Sequence, residues 1–189
     1  MNSITKDIKV WDPLVRVFHW SLALAFTIAF ISEDDHMTLH SYAGYTIIGL
    51  LLTRLIWGFI GTTHARFSDF VRSPHEALNY LKETATFRAK RYLGHNPAGG
   101  LMIIALLLSL LLTTLTGLGA YGVEGGGPLA NLLSGMGHFG KEAFEEVHEV
   151  FANFSLFLVV IHVAGVILGS ISHGENLIRA MFTGTKQAD

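Results

Sequence analysis

Four apolar stretches, each about as long as a lipid bilayer is thick, constrain what this chain can fold into. The hydrocarbon core of a bilayer is about 30 Å thick, and a helix needs roughly 20 apolar residues to cross it. The stretches cover residues 14–31, 40–60, 99–120 and 147–171, and the third contains neither a charged residue nor a histidine. A helix buried in a soluble core would be shorter or would carry a polar stripe. The sequence therefore predicts an all-α integral membrane protein, a bundle of four transmembrane helices.

The composition agrees with this class and excludes several others. Of the 189 residues, 50% are hydrophobic and 15% are charged, whereas a soluble domain carries about 25% charged residues. The net charge of −2 argues against a broadly basic nucleic-acid binder, so no nucleic-acid partner is expected. The sequence has no cysteine, which excludes disulfides, thiolate zinc sites, iron–sulfur clusters and covalently attached haem. Without a repeat or a low-complexity linker, residues 1–189 are expected to form one membrane domain.

Lysines and arginines predict the orientation, because cytoplasmic loops of membrane proteins carry an excess of them. Residues 32–39 contain no basic residue, and residues 121–146 contain only Lys141. Both termini are therefore expected in the cytoplasm, with the protein crossing the bacterial cytoplasmic (inner) membrane several times. The basic residues at or before the first stretch, between the second and third, and after the fourth are Lys6, Lys9, Arg16, Arg66, Arg72, Lys82, Arg88, Lys90, Arg91, Arg179 and Lys186.

Two connecting segments have their own patterns. Residues 68–92 predict an interfacial amphipathic helix. Within this range, Ser73-Pro74 followed by Glu76 resembles the start of a helix, with proline in the first turn. Its apolar side would face lipid or protein and its basic side would reach anionic headgroups, so membrane lipid is an expected partner. Residues 121–146, rich in glycine, predict a loop with a short helix on the outer face. The apolar set of the amphipathic helix is Phe70, Val71, Leu78, Leu81 and Phe87, and the basic set is Arg72, Lys82, Arg88 and Lys90.

Four histidines lie within or at the edges of the apolar stretches: His19, His40, His148 and His162. An ionisable side chain at membrane depth is costly and points to function. In the predicted orientation, His19 lies near the cytoplasmic face, and His40 and His148 lie near the outer face. His162 follows His148 by fourteen residues, which places it about 21 Å deeper and within about 40° of the same helix face.

These depths pair His19 with His162 on the cytoplasmic side and His40 with His148 on the outer side. Each pair can supply the two axial nitrogens of a low-spin haem b. Two haems about 20 Å apart would then conduct electrons across the bilayer. A zinc or copper site would need its ligands at one depth, and an ion transporter would need carboxylates inside the spans. Hydrogen bonding between helices remains the alternative use of these histidines.

Two arginines and three glycines extend the haem hypothesis. Arg54 follows His40 by fourteen residues, at the inner depth, and Arg16 precedes His19 by three. A buried arginine needs an anion, and a haem propionate would serve. A snorkelling role for Arg54 at the membrane interface remains open. Small residues that would allow a helix or a porphyrin to approach closely, or that simply pack, are Gly44, Gly49 and Gly165.

Several segments, in order along the chain, resemble those of one group of membrane proteins. They are Val10-Trp11-Asp12-Pro13 with Arg16 and Phe18-His19-Trp20, His40 with Gly44-Tyr45, Gly94-His95-Asn96-Pro97 with Gly99-Gly100, Glu146-Val147-His148-Glu149, and His162-Val163-Ala164-Gly165. They resemble the prokaryotic cytochrome b561 group, which includes the b-type cytochrome subunit of nickel–iron hydrogenases. The resemblance implies a four-helix di-haem cytochrome that exchanges electrons with the quinone pool, with His19, His40, His148 and His162 as axial ligands.

The expected function is electron transfer between a quinone pool, ubiquinone or menaquinone, and a redox partner, with two haem b groups as cofactors and no catalytic nucleophile. The partner would be a periplasmic cytochrome c or a peripheral oxidoreductase subunit, and a homodimer stays open. The short tail after Arg179 departs from the hydrogenase subunits and favours a stand-alone or cytochrome-coupled member. The alternatives are a self-contained quinone oxidoreductase acting on a small molecule such as superoxide, a haem-binding anchor of a hydrogenase-like complex, and a structural anchor without haem.

A quinone site needs a proton acceptor near one haem. The nearest titratable groups on the outer side are His138 and Glu149, and on the inner side His95 and His173. The other histidines, His36, His64 and His75, are expected to be solvated or interfacial, and the same reading is the simpler one for His95, His138 and His173.

Overall fold

The computed structural model of the chain describes residues 7–33 and 36–188, and within them the fold is helical apart from one short pair of strands. The helices are α1 (Pro13–Ile31), α2 (Met37–Ile60), α3 (Phe67–Phe70), α4 (Pro74–Ala85), α5 (Pro97–Val123), α6 (Ala130–Leu133), α7 (Gly137–His173) and α8 (Leu177–Thr183). Short 3₁₀ turns cover Thr63–Ala65 and Ser134–Met136. Strand β1 (Asp7–Lys9) pairs antiparallel with β2 (Thr185–Gln187), with Ile8 opposite Lys186. Lys6 and part of the predicted turn at 32–39 lie outside the described residues.

Within the described part of the chain, four helical segments are long and apolar enough to cross a membrane: α1, α2, α5 and the segment Ala130–His173, which contains α7. Their mean hydropathies are 1.8, 1.6, 2.4 and 2.4. The prediction of an all-helical chain with four long apolar helices is thus confirmed. Each helix begins before its predicted apolar stretch, since backbone hydrogen bonding continues into polar sequence.

Helix α7 departs most from the prediction, because it begins ten residues before the apolar stretch at 147. Part of the segment 121–146, expected to be a loop with a short helix, is therefore the first turns of a long helix. Side chains four residues apart stabilise these turns, since they lie on one helix face. His138 Nε2 lies 3.0 Å from Glu142, and Lys141 Nζ lies 3.6 Å from Glu145.

The amphipathic helix predicted over 68–92 is interrupted, and the prediction of one continuous helix is wrong. Val71 and Ser73 have extended backbone, α4 ends at Ala85, and Phe87 adopts a positive φ of 54°. Its predicted start is correct, since the Ser73 side chain accepts from the Glu76 amide and the Glu76 carboxylate accepts from the Ser73 amide. Phe70 is buried, whereas the other four predicted apolar side chains, Val71, Leu78, Leu81 and Phe87, are exposed.

The chain forms two compact units, each built from segments of the long helices. The first unit comprises residues 1–21, 53–104 and 160–189, and the second comprises residues 22–52 and 105–159. In the second unit, Ala25, Ile47, Leu51 and Leu110 form a buried cluster of three helices. In the first unit, Val10, Trp11 and Ala180 form a smaller buried cluster beside the strand pair.

A close backbone approach in the first unit depends on Gly100 of α5. A Cβ atom at this position would lie 2.3 Å from the Phe70 carbonyl oxygen and 3.2 Å from its carbonyl carbon. Backbone atoms cannot move aside as a flexible side chain can, so overpacking here has no cheap relief. Gly100 therefore allows α5 to lie directly against α3.

Replacing Gly100 with alanine is expected to destabilise the protein by about 1–3 kcal/mol, the usual cost of overpacking. The measurement is the unfolding midpoint in detergent micelles, with Gly135→Ala as control, because a Cβ at Gly135 meets nothing within 4 Å. Equal midpoints for the two variants would contradict the steric explanation.

Candidate functional site

Helices α2 and α7 bring the rings of His40 and His148 together in an edge-on arrangement in the second unit. Their ring centroids lie 5.9 Å apart with an interplanar angle of 79°. His40 Nδ1 donates to the Ala29 carbonyl oxygen of α1 at 2.8 Å, and His148 Nδ1 donates to the Thr113 carbonyl oxygen of α5 at 2.8 Å. Because a neutral imidazole carries one proton, both rings have the tautomer in which Nε2 presents a lone pair. This lone pair is what a metal ion needs.

The two carbonyl acceptors have different origins. Ala29 lies within the last four residues of α1, where carbonyl oxygens have no amide partner inside the helix, and its carbonyl oxygen also accepts from Ser32 Oγ at 3.4 Å. Thr113 lies in the middle of α5, and its carbonyl oxygen also accepts from Thr116 Oγ1 at 3.0 Å. His40 thus donates to a carbonyl oxygen at the end of a helix, whereas His148 donates to a carbonyl oxygen in the middle of a helix.

A cavity in the second unit is lined by both rings, and glycines shape its wall. Gly44 lines it beside His40, and a Cβ there would meet nothing within 4 Å. A Cβ at Gly117 would lie 2.7 Å from His148 Cε1, so only glycine lets this ring pack against α5. The remaining wall is mostly apolar, with three carboxylates and two phenols: Glu33, Glu124, Glu145, Tyr45 and Tyr121.

Behind His148 lies a buried hydroxyl cluster that sequence reasoning missed. Ser155 of α7 is completely buried, and its Oγ lies 2.7 Å from Ser109 Oγ and 3.3 Å from Thr113 Oγ1. Thr113 Oγ1 also donates to the Ser109 carbonyl oxygen at 2.9 Å. These contacts link α5 to α7 at the residue whose carbonyl binds His148. Single serines and threonines in apolar helices gave no signal that they would meet.

Helices α1 and α7 bring His19 and His162 together in the first unit. Their ring centroids lie 6.3 Å apart with an interplanar angle of 50°, and Trp20 contacts His19 edge-on at 4.9 Å. His19 Nδ1 is buried and has no hydrogen-bond partner among the described residues. The His19/His162 pair therefore has a ring spacing similar to that of the His40/His148 pair, but its His19 Nδ1 lacks the hydrogen bond to a carbonyl oxygen.

The two arginines singled out from the sequence also lie in the first unit, and each has an unsatisfied nitrogen. Arg54 is 3% exposed, its guanidinium lies 4.9 Å from the Phe67 ring centre, and its Nη1 lacks a partner among the described residues. The Asp12 carboxylate is the charge that offsets it electrostatically. Arg16 donates from Nη1 to the Phe182 carbonyl oxygen, and its buried Nε lacks a partner within the same part of the chain.

His95 is half-buried, with its Nδ1 shielded from solvent, which corrects the simpler expectation of a solvated residue. Its ring lies between Trp11 and Phe70, with centroid distances of 4.4 Å and 4.8 Å, and its Nδ1 is buried without a partner among residues 7–33 and 36–188. Burial, followed by the positive charge of Arg54, lowers the pKa of His95 from 6.5 to about 3. The only sequence signal for a special role of His95 was the segment Gly94-His95-Asn96-Pro97. In the same segment, Asn96 Oδ1 caps α5 by accepting from the Gly99 amide at 2.7 Å.

The other candidates for proton transfer are dispersed. Glu149 and His138 are exposed, and His138 pairs with Glu142. His173 Nε2 lies 3.3 Å from the Tyr80 hydroxyl in the first unit, and His64 Nδ1 lies 3.0 Å from Asp69 Oδ2. His36 and His75 are exposed. None of these side chains lines the cavity that contains His40 and His148.

The ring spacing of both histidine pairs is compatible with a metal ion held between two imidazole nitrogens. A metal about 2.0 Å from each nitrogen would place the ring centroids roughly 6 Å apart. The centroid distances of 5.9 Å and 6.3 Å are close to this value. No group of three or more His, Cys, Asp or Glu side chains converges within the described residues, and a haem needs only two protein ligands because the porphyrin supplies the rest.

Among the described residues, no neighbouring helix closely approaches the three glycines at which the sequence predicted a close approach. A Cβ at Gly44, Gly49 or Gly165 would meet nothing within 4 Å. The Cβ positions of these glycines border open space, which is compatible with a porphyrin or lipid.

Comparison with known proteins identifies the family. The sequence profile of the family described as "Prokaryotic cytochrome b561" matches residues 10–184. The chain therefore belongs to the prokaryotic cytochrome b561 family, as the sequence resemblance indicated. It is a multi-pass bacterial membrane protein and a b-type cytochrome of the electron-transfer kind.

Three relatives carry the same printed name, "Probable Ni/Fe-hydrogenase B-type cytochrome subunit". The protein of Rhizobium leguminosarum bv. viciae is 25% identical over 96% of this chain and 89% of its own length, and that of Rhodobacter capsulatus is 22% identical over 94% and 80%. The protein of Azotobacter vinelandii is 26% identical over 60% of this chain and 59% of its own length. No solved structure matches the chain significantly.

His95 is expected to make stability depend on pH. In the unfolded chain an imidazole binds a proton near pH 6.5, whereas His95 in the folded protein binds one only near pH 3. Below pH 6.5 the unfolded state therefore binds more protons, and the free energy of unfolding decreases as the pH falls towards 3. His95→Phe, which keeps a ring between Trp11 and Phe70, is expected to remove this part of the decrease.

The measurement is the unfolding midpoint in detergent between pH 7 and pH 4.5 for the wild type, His95→Phe and the exposed control His75→Phe. The midpoint should fall less with pH in His95→Phe than in the other two proteins. A parallel decrease in all three would show that His95 is not responsible.

Proposed function

We propose that this protein is a di-haem b-type cytochrome that carries electrons across the bacterial inner membrane between the quinone pool and a redox partner. The observation that carries the proposal is the presence of two imidazole pairs at the spacing of axial haem ligands, one pair in each unit. His19 and His162 would hold one haem b, and His40 and His148 the other. When bound, each haem supplies one-electron redox chemistry.

The residues around each pair prepare it for this ligation. In the second unit, the carbonyl oxygens of Ala29 and Thr113 orient the rings and hold the proton on Nδ1, so that Nε2 is the ligating atom. Gly117 allows the His148 ring to lie against α5. The cavity wall around the rings is mostly apolar.

In the first unit, Arg16 and Arg54 are proposed to bind haem propionates. Both have a buried nitrogen that lacks an acceptor among the described residues, and an unsatisfied buried donor is costly. A propionate would supply the missing acceptor in a charge-assisted hydrogen bond. The Phe67 and Phe70 rings hold the Arg54 guanidinium in place by cation–π contact.

The proposed orientation places both termini in the cytoplasm, because the basic residues concentrate on that side. In this orientation His40 and His148 lie near the outer face. The quinone would be ubiquinone or menaquinone. Menaquinol or ubiquinol analogues added to the purified oxidised protein should reduce its haem, and failure with both would contradict the quinone assignment.

The partner is proposed to be a peripheral oxidoreductase subunit of the hydrogenase kind, since all three relatives carry that printed name. The relatives also carry segments that this chain lacks, because the alignment with the Rhizobium protein, 216 residues with gaps, is longer than the 189-residue chain. A periplasmic cytochrome c is the other partner class. The two partner classes are distinguished by mixing the purified oxidised protein with each reduced partner in turn and measuring which one reduces its haem.

Haem content tests the ligand assignment. The purified wild type is expected to contain two non-covalent haem b groups per chain, with sharp low-spin bands in the reduced-minus-oxidised spectrum. His19→Ala and His148→Ala are each expected to lose one haem, because each removes one axial ligand from a different pair. The control His75→Ala, at an exposed position, should retain both.

Three results would contradict the proposal. A wild type without haem would exclude the electron-transfer function. A wild type with one haem would show that one pair is not a ligand pair. Two haems retained in His19→Ala or His148→Ala would show that the altered residue is not a ligand.

A further inference from the structure

The two histidine pairs differ in what their Nδ1 atoms contact. In the second unit both rings donate from Nδ1 to a backbone carbonyl oxygen, each at 2.8 Å. In the first unit, His19 Nδ1 is buried and has no partner among the described residues. The two pairs therefore offer a metal imidazoles of different electronic character, although their ring spacings are similar.

A hydrogen bond from Nδ1 changes the ligand as well as its orientation. When Nδ1–H donates to a carbonyl, the imidazole gains basicity and pushes more electron density onto the metal through Nε2. A more basic axial ligand stabilises ferric over ferrous iron, which lowers the reduction potential. By this effect alone, the His40/His148 pair favours the oxidised haem more strongly than the His19/His162 pair does.

The charges around the two pairs act in the same direction. The cavity of the second unit is lined by Glu33, Glu124 and Glu145, and Lys141 pairs with two of these, Glu124 at 2.6 Å and Glu145 at 3.6 Å. Carboxylates stabilise the extra positive charge of a ferric haem. The acidic side chains of this wall outnumber the single lysine that pairs with them.

The first unit has buried cationic side chains instead. Arg54 and Arg16 each have a buried nitrogen without an acceptor among the described residues, whereas Asp12 is the buried carboxylate that opposes them. In a second cluster, the single carboxylate of Glu175 pairs with two cations, Arg91 and Lys186. Positive charge near a haem disfavours the ferric form and raises its potential.

We propose that the haem held by His40 and His148 has a lower midpoint potential than the haem held by His19 and His162. The proposal rests on the proposed function, because it requires both pairs to ligate haem. The residues responsible are the acceptors of the Nδ1 protons, Ala29 and Thr113. The buried contacts of Ser109 and Ser155 with Thr113 hold the second acceptor in position.

We expect a separation of about tenfold in the ferric-to-ferrous preference, the lower end of the roughly 10–100-fold by which loss of a partner of a ligating histidine commonly changes metal affinity or activity. A tenfold preference equals about 59 mV for a one-electron couple. On stepwise reduction, the His19/His162 site should therefore be reduced first.

Spectroscopic redox titration of the purified protein, after its haem content has been measured, tests the order. The wild type should show two one-electron midpoints. His19→Ala should retain only the lower one and His148→Ala only the higher one. A wild type with fewer than two haems would contradict the proposed function itself, whereas two haems with equal potentials or the reverse order would overturn only the present proposal.

A glycine variant perturbs one Nδ1 bond without removing a ligand. In Gly117→Ala the new Cβ would lie 2.7 Å from His148 Cε1 and 2.9 Å from its Nδ1, so the ring must move relative to the Thr113 carbonyl. The matched control on the same helix is Gly119→Ala, where the new Cβ would lie 2.4 Å from Phe144 Cδ1 instead. Both variants overpack α5 against α7, but only one presses on a histidine.

Gly117→Ala is expected to raise the lower midpoint and leave the higher one unchanged, whereas Gly119→Ala should leave both within error of the wild type. If Gly117→Ala loses a haem, the remaining haem should have the higher potential. A shift of the higher midpoint, or retention of only the lower one, would overturn the proposal. These readings do not depend on activity with any partner.

Discussion

A histidine inside an apolar helix must find a partner for each of its ring nitrogens, and this requirement organises both units of the structure. Lipid offers no hydrogen bonds, so an unsatisfied nitrogen costs several kcal/mol in principle. In the second unit the Nδ1 atoms of His40 and His148 are satisfied by carbonyl oxygens of two other helices, α1 and α5. The two ring centroids lie 5.9 Å apart, and a metal bound by the remaining nitrogen of each ring would satisfy both.

In the first unit this requirement is not met among the described residues. Aromatic rings surround its polar groups: Trp20 contacts His19, and Trp11 and Phe70 enclose His95. All four buried side-chain nitrogens without a partner in the described part of the chain belong to this unit. One carboxylate, that of Asp12, accepts from the Val15 amide, Trp57 Nε1 and Thr62 Oγ1 and so fastens the start of α1 to the end of α2.

Much of the architecture and part of the candidate site could be predicted from the sequence. Four helices followed from apolar length, and the histidine pairs that meet are the ones expected from depth along each helix. The ligand role of these histidines and the propionate role of Arg16 and Arg54 remain predictions. The start of α4 could be recognised from the sequence, because the capping box and first-turn proline involve only Ser73, Pro74 and Glu76. The end of α4 and the early start of α7 could not, because polar sequence is compatible with both helix and loop.

What the sequence by itself determined is local or periodic: the four apolar helices, the positions of the histidines along them, and the family to which the chain belongs. Hydrophobic length and a rise of about 1.5 Å per residue suffice for the helices and the positions of the histidines, since neither depends on a neighbouring helix. The family follows from the sequence profile that matches residues 10–184. Only the tertiary structure decided which imidazoles donate to a carbonyl, that His95 is enclosed by Trp11 and Phe70, and that Ser109 meets Ser155. These contacts join residues that are tens of positions apart in the chain, and they depend on helix packing that no single segment encodes.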